Sequence, residues 1–256
     1  MATPFSEKAA LRGEPSYVWR AGQARRLKMI REAAPQLALG AARVLEVGCG
    51  LGVYVEKLRA FTPAVFGLEY DFERAAEAGR RLVPSLVVCA AGEHLPYPED
   101  SFDVVLSNEV IEHVQDDGAA VAEMVRIARS PDSASGRRGG RILVFCPNRW
   151  YPVETHGVYW RGRYKFGNIP LVNYLPDPLR NKLVPHVRAY TARGLRRLFA
   201  GLPVRIVAHT RIFGGYDNLI ARFGAMGRLI RSTLHALEQT PLNVFGLSHF
   251  VVAEKM

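Results

Sequence analysis

The chain has 256 residues, 48% of them hydrophobic and 10% aromatic, with a formal net charge of +10. That composition supplies a substantial core and excludes a disordered chain, and no apolar run approaches the ~18 residues that a membrane-spanning helix needs. Cys49, Cys89 and Cys146 lie far apart and match no zinc spacing, so buried, reduced thiols are expected rather than a disulfide framework. Near the start, Glu7, Lys8, Arg12 and Glu14 interrupt any apolar centre of a secretory signal, which makes a cytoplasmic protein the expectation.

Tyr17 to Ala34 has helical spacing and reads either as a cap over a ligand site or as plain packing. Strands are expected near 43–48, 64–69, 86–89, 102–107, 141–146, 203–210 and 247–253. Helices are expected near 53–60, 72–82, 117–129 and 192–200. This alternation is the rhythm of an α/β, doubly wound, mostly parallel seven-stranded sheet. Residues 130–140 (SPDSASGRRGG) form a surface connection. Residues 147–188 hold six prolines and five Tyr/Trp residues between Trp150 and Tyr164, and leave the sheet at the edge where ligands sit in open α/β folds; they read as a substrate lid.

Leu219, Ile220, Phe223, Met226, Ile230, Leu234 and Leu237 recur at helical spacing within 214–240, with Arg228 and Arg231 on another face. Such a helix either packs on its own domain or lies in a membrane interface. The resulting division is a single domain: 1–40 N-terminal helical segment, 41–146 cofactor core, 147–190 lid, and 191–256 C-terminal strands with the amphipathic insertion. Charge divides along similar lines. Residues 1–146 hold 18 basic and 19 acidic side chains, whereas 147–256 hold 16 and 5. The basic excess is either a plain soluble surface or a face for something anionic, such as a lipid phosphate, a lipid-linked sugar or RNA. No RNA-binding signature supports the last of these.

The most informative segment is Val44-Leu-Glu-Val-Gly-Cys-Gly-Leu-Gly52, a short strand that stops at Gly48, Gly50 and Gly52, followed by Glu69 at the end of the next strand. Glycines here let the backbone turn and approach a ligand. An acidic residue ~20 positions on can take the two hydroxyls of an adenosine ribose. Val53 stands where the dinucleotide fingerprint requires glycine, and Glu46 would repel a pyrophosphate but attract an ammonium group. S-adenosylmethionine, which has a ribose, an α-ammonium and no phosphate, fits this loop better than NAD.

With Ala91-Gly-Glu-His-Leu-Pro-Tyr97, Ser101-Phe-Asp-Val-Val105, Asn108 and Glu109–Val114 (EVIEHV) following in order, the chain resembles the class I S-adenosylmethionine-dependent methyltransferases, including the small-molecule methyltransferases of ubiquinone pathways, over about residues 40–150. The resemblance implies cofactor contacts at Glu46, Gly48, Cys49, Gly50, Glu69, Tyr70, Ala91, Gly92, Glu93 and Asn108. Many relatives carry aspartate where Ala91 stands, so backbone carbonyls or Glu93 are expected at the adenine amino group.

Glu109, Glu112 and His113 are spaced to share one helical face. Their E-x-x-E-H pattern resembles a metal-binding helix of ubiquinone-pathway O-methyltransferases and of small-RNA 3′-end methyltransferases. In the latter a later histidine completes the set, and His186, followed by Tyr190 and Thr191, is similar to that element. The alternative is that His113 packs and hydrogen-bonds beneath the lid without a metal. Glu154, Thr155 and His156 form a second group, in which His156 serves as general base or the residues cap turns. Catalytic candidates are therefore His113, Glu109 and His156. The expected activity is methyl transfer to a small-molecule or lipid-linked anionic acceptor, at oxygen, with peripheral membrane contact admitted. The rivals are RNA methylation and a non-catalytic partner subunit.

Overall fold

The computed structural model describes residues 19–82 and 86–256; Tyr17 and Val18 of the expected first helix lie outside them. In chain order come α1 (Ala21–Ala33), β1 (Val44–Val47), α2 (Val53–Leu58), β2 (Val65–Glu69), α3 (Phe72–Arg81), β3 (Val87–Cys89), β4 (Val104–Asn108), α4 (Asp117–Ile127) and β5 (Arg141–Pro147). After a long excursion follow α6 (Ala192–Arg197), β10 (Val204–Ile212), α7 (Asp217–Leu237) and β11 (Ser248–Lys255). Seven strands form one sheet in the order β10-β11-β5-β4-β1-β2-β3. The pairs from β3 to β5 are parallel, and β11 runs antiparallel between β5 and β10. The expected α/β architecture is present, with strand order reversing between β1 and β4.

Alternation along the central strands explains the layers. Leu45, Val47, Val105, Ile142 and Val144 face one side, where they meet Met124, Ile127, Leu195 and Phe199. Val44, Val104, Leu106, Leu143 and Phe145 face the other, against Ile30, Tyr54, Val55 and Leu58. A period of two thus supplies both faces, and helices cover both. Helix starts follow local chemistry: Asp71, Asp116 and Thr191 each accept a hydrogen bond from the backbone N–H three residues on, at 3.1, 2.9 and 3.0 Å.

Cys49 and Cys146 are buried, but Cys89 is exposed, because it ends the edge strand β3. Residues 130–140 close into a turn bridged between Asp132 and Arg137.

The 147–190 segment is more ordered than its irregular sequence suggests. It forms two small antiparallel ribbons, β6 (Val153–Glu154) with β9 (Ile169–Pro170) and β7 (Val158–Trp160) with β8 (Arg163–Lys165), then the short helix α5 (Asp177–Leu183). Val158, Val172, Val184 and Val187 give it a small core of its own. Helix α7 bends at Gly224, whose φ of 54° and ψ of −119° are not helical. The two halves fold against each other so closely that a Cβ on Gly227 would lie 2.6 Å from the Leu219 carbonyl oxygen.

Candidate functional site

A cavity of about 1280 Å³ opens at the C-terminal ends of β1, β2 and β4, at the reversal of strand order where open α/β sheets hold ligands. Glu46, Gly48, Cys49, Gly50, Glu69, Tyr70, Ala91, Gly92, Glu93 and Asn108 all line it, as do Glu109, His113 and His156. Glu112 and His186 do not appear on its wall.

The glycine loop is held from beneath and open above. The N–H groups of Gly48 and Cys49 both donate to the Leu68 carbonyl, at 2.7 and 2.9 Å. At Gly48, φ is 72°, and a Cβ would fall 2.3 Å from a Val110 methyl. At Gly50, φ is 55°, and a Cβ would meet nothing within 4 Å, so the backbone there fronts free space. Glu69 ties the loop to β2: its carboxylate accepts from Gly50 N–H at 2.8 Å and from Asp71 N–H at 2.9 Å. A carboxylate with two such bonds still has lone pairs for a ligand. Glu46 is buried with Oε2 unpartnered among the described residues. Burial pushes its carboxyl well above the usual range, and the neighbouring Glu69 charge adds to this. A cation placed here would meet an acceptor that has no other partner. These features fit a ligand with both an ammonium group and a ribose.

Glu93 is engaged differently from the adenine contact expected of it. Its Oε1 accepts from the N–H groups of Gln115 and Asp116, at 2.7 and 3.3 Å, which pins the turn before α4. Asn108 Oδ1 accepts from Arg26 Nη1 at 2.6 Å. The same guanidinium donates to Glu109 Oε1 at 2.6 Å and Ser248 Oγ at 2.8 Å. Arg26 comes from α1, so the N-terminal helix does reach the cavity. Sequence reasoning missed it because an arginine on an arginine-rich helix carries no local mark.

The expected helical face of Glu109, Glu112 and His113 does not form. Residues 111–113 are a turn, and Glu109 has φ of 57°, which sends its carboxylate toward Arg26 instead. Burial raises the Glu109 carboxyl, but the Arg26 charge and the Ser248 hydroxyl outweigh it and hold the group at about 2. Glu112 is pushed well above the usual range by burial first and by the Glu109 charge second. Neither Glu112 oxygen meets a donor among the described residues; as the protonated acid it can itself donate to Glu109. Glu109 is thus the ionised member of the pair.

Donor atoms of Glu112, His113 and His156 lie within 4.8 Å of one another. This trio replaces the expected set of Glu109, Glu112, His113 and His186. Glu109 is occupied by Arg26, and His186 directs Nε2 at the His156 carbonyl, at 3.2 Å, between the rings of Tyr159 and Tyr164. Tyr190 and Thr191 have structural partners: the Tyr190 hydroxyl lies 2.8 Å from Asp117 Oδ2, and Thr191 caps α6. The Nδ1 of His113 is buried without a partner among the described residues. Burial, with the nearby His156, lowers its imidazole to about 4, so it is neutral near pH 7.

His156 is the better-organised histidine. Its Nδ1 lies 2.9 Å from Glu154 Oε1, and the other Glu154 oxygen accepts from Arg180 at 3.0 Å. Arg180 also donates to Asn173 Oδ1 and to the Val187 carbonyl, so one buried ion pair ties β6, residue 173 and residue 187 to α5. With Nδ1–H donating to Glu154, Nε2 carries the free lone pair.

Comparison with known proteins bears on the same region. A family model described as a methyltransferase domain matches residues 45–131. A probable S-adenosylmethionine-dependent methyltransferase of Mycolicibacterium smegmatis is 35% identical over 106 residues, 41% of this chain and 38% of the relative. A ubiquinone biosynthesis O-methyltransferase of Rhodopseudomonas palustris is 30% identical over 126 residues, 48% of this chain and 46% of the relative. The matches thus span less than half the length of these relatives. Nearly the whole fold is shared with an S-adenosylmethionine-dependent methyltransferase from Mesorhizobium loti, at a TM-score of 0.59 and 18% identity, covering 89% of this chain and 96% of that one. The glycine loop, the motif order and the matched domain thus make residues 45–131 similar to methyltransferase domains, and the sheet as a whole shares its fold with an S-adenosylmethionine-dependent methyltransferase.

Proposed function

We propose that the chain transfers a methyl group from S-adenosylmethionine to an oxygen of a small-molecule or lipid-linked acceptor. The observation that carries the reading is the pairing of Glu46 and Glu69 on either side of the open Gly50 backbone. In this reading Glu69 takes the ribose hydroxyls, Glu46 and Asn108 the methionine end, and the backbone at Ala91–Gly92 the adenine edge. When bound, the cofactor supplies a methyl on a sulfonium, whose C–S electrons return to sulfur as the new C–O bond forms. The protein contributes alignment and exclusion of water. The 147–190 segment serves as the lid, and His156 Nε2 takes the proton that the acceptor hydroxyl loses, with Glu154 fixing the ring and stabilising the imidazolium. Supporting an oxygen acceptor, the matched R. palustris relative is an O-methyltransferase by name.

A second reading is favoured by one observation, the convergence of Glu112, His113 and His156. Those residues would hold a divalent ion that lowers the pKa of the acceptor hydroxyl. Titration with S-adenosylhomocysteine, repeated with Mg²⁺ or Mn²⁺ and after chelation, tests both. Micromolar binding that ignores the metal supports the first reading. Turnover lost on chelation and restored by metal supports the second. No binding at all removes the enzyme reading and favours a non-catalytic partner subunit.

A further inference from the structure

Helix α7 carries an apolar face that stays largely exposed among the described residues. Phe223, Met226, Leu229 and Ile230 are 50%, 59%, 61% and 38% exposed. Met226, Leu229 and Ile230 stand at i, i+3 and i+4, so they form one continuous stripe. Leu234 and Leu237 of the expected stripe are partly buried and line a groove with Phe213 and Tyr216. Beside them Leu242 and Phe245, 48% and 42% exposed, extend the apolar surface around a groove of about 310 Å³. The charge on this element is one-sided. Arg222, Arg228 and Arg231 have no ion pair among the described residues, and the only acidic residue in the helix is Asp217 at its start. The helix begins at the cavity rim, which Phe213, Gly214, Gly215 and Asp217 help to line.

We infer that this face docks on an anionic lipid bilayer, with Phe223, Met226, Leu229 and Ile230 in the interface and the three arginines at the headgroups. A bilayer is the occupant that matches both halves of the feature. The apolar stripe matches a non-polar medium, and Arg228 and Arg231 on the helix's other face, with Arg222 before the bend, match the negatively charged headgroup layer above it. The placement has a consequence for access, since a helix seated on the bilayer brings the cavity rim to the lipid surface. The docking does not depend on the methyl-transfer reading, and its test involves no turnover.

Co-sedimentation with vesicles of phosphatidylcholine alone, and of phosphatidylcholine mixed with phosphatidylglycerol, gives the readout. The expected result is binding to the anionic vesicles that weakens with salt, and much less binding to the neutral ones. A Phe223→Ser, Met226→Ser, Leu229→Ser variant should lose about tenfold or more in partition, since each exposed side chain contributes buried apolar area. An Arg222→Gln, Arg228→Gln, Arg231→Gln variant should lose the preference for anionic vesicles. Because all six positions belong to α7, unchanged thermal midpoints establish that both variants are folded. The inference is overturned if the wild type binds neither vesicle, or if the apolar variant binds as the wild type does. It is equally overturned if light scattering shows a dimer that the apolar variant abolishes while vesicle binding is absent, which would assign the face to a second copy of the chain.

Discussion

Glu69 combines two tasks that a sequence pattern presents as one. Its carboxylate already accepts from Gly50 and Asp71 N–H, so it shapes the glycine loop before any ligand arrives. Removing it strands two N–H groups and, on the proposed reading, two ribose hydroxyls. Glu69→Ala should weaken S-adenosylhomocysteine binding by about 1–3 kcal/mol, the scale of charge-assisted hydrogen bonds, as measured by calorimetry. Binding equal to wild type would remove the ribose assignment. His156 calls for the opposite split. His156→Ala should lower turnover by roughly 10²–10⁴ while cofactor affinity stays near the wild-type value, because general-base catalysis acts only on the chemical step. A parallel loss of cofactor affinity would reassign the residue to positioning. His113, held at about 4, is neutral but a poor proton acceptor, which is why the proposed reading gives the role to His156.

Among the elements, the 147–190 segment depends on a single buried pair. The side chains of Glu154 and Arg180 are each 3% exposed, and they join the β6–β9 ribbon to α5. Breaking a buried pair leaves one charge without its partner, so Arg180→Ala should cost about 3–5 kcal/mol within this segment. Limited proteolysis should then cut within 147–190 first, and turnover should fall because Glu154 no longer holds His156 in register. If the fragments instead arise from the sheet, the segment is not an independently opening unit. Helix α7 shows a different dependence. Leu234 and Leu237 near its C-terminal end are partly buried and line a groove with Phe213 and Tyr216, while its middle presents the stripe to the outside.

At the scale of the whole molecule, four imidazoles, His186 among them, are lowered by burial and oppose folding in acid. Burial, with neighbouring positive groups, lowers His113 and His249 to about 4 and His209 to about 3. His209 and His249 lie in a chain from Arg196 to the Tyr190 carbonyl, with Nε2 of His209 3.0 Å from Nδ1 of His249. Each is neutral when folded and takes up a proton in the unfolded chain below about pH 6.5. Stability should therefore fall as pH drops from 6.5 toward 4, by at most about 1.4 kcal/mol per pH unit for each fully buried imidazole. Glu109, held at about 2, adds a loss from near pH 4.5 down to 2, since its depressed carboxyl stabilises the fold only while ionised. Glu112 acts in the other direction: raised in the fold, it favours folding at acid pH and loses that contribution as pH rises. Denaturant midpoints across pH 4–7 check the sum, and a His249→Gln variant should flatten the slope.

The sequence alone determined the alternating strands and helices of the sheet and the glycine loop, because these rest on short-range physics: local periodicity, and glycines where φ is positive. The single helical face expected of Glu109, Glu112 and His113 does not form, for a local reason that no spacing reveals. The positive φ of Glu109 breaks the helix on which the E-x-x-E-H geometry depends. Only the tertiary structure decided that Arg26 and Ser248, 222 residues apart, meet at Glu109, and that His156 rather than His186 joins Glu112 and His113. It also decided which leucines of α7 are partly covered and which apolar neighbours face outward. Contacts of that kind are made between distant segments, and their energy appears only once the chain has closed on itself.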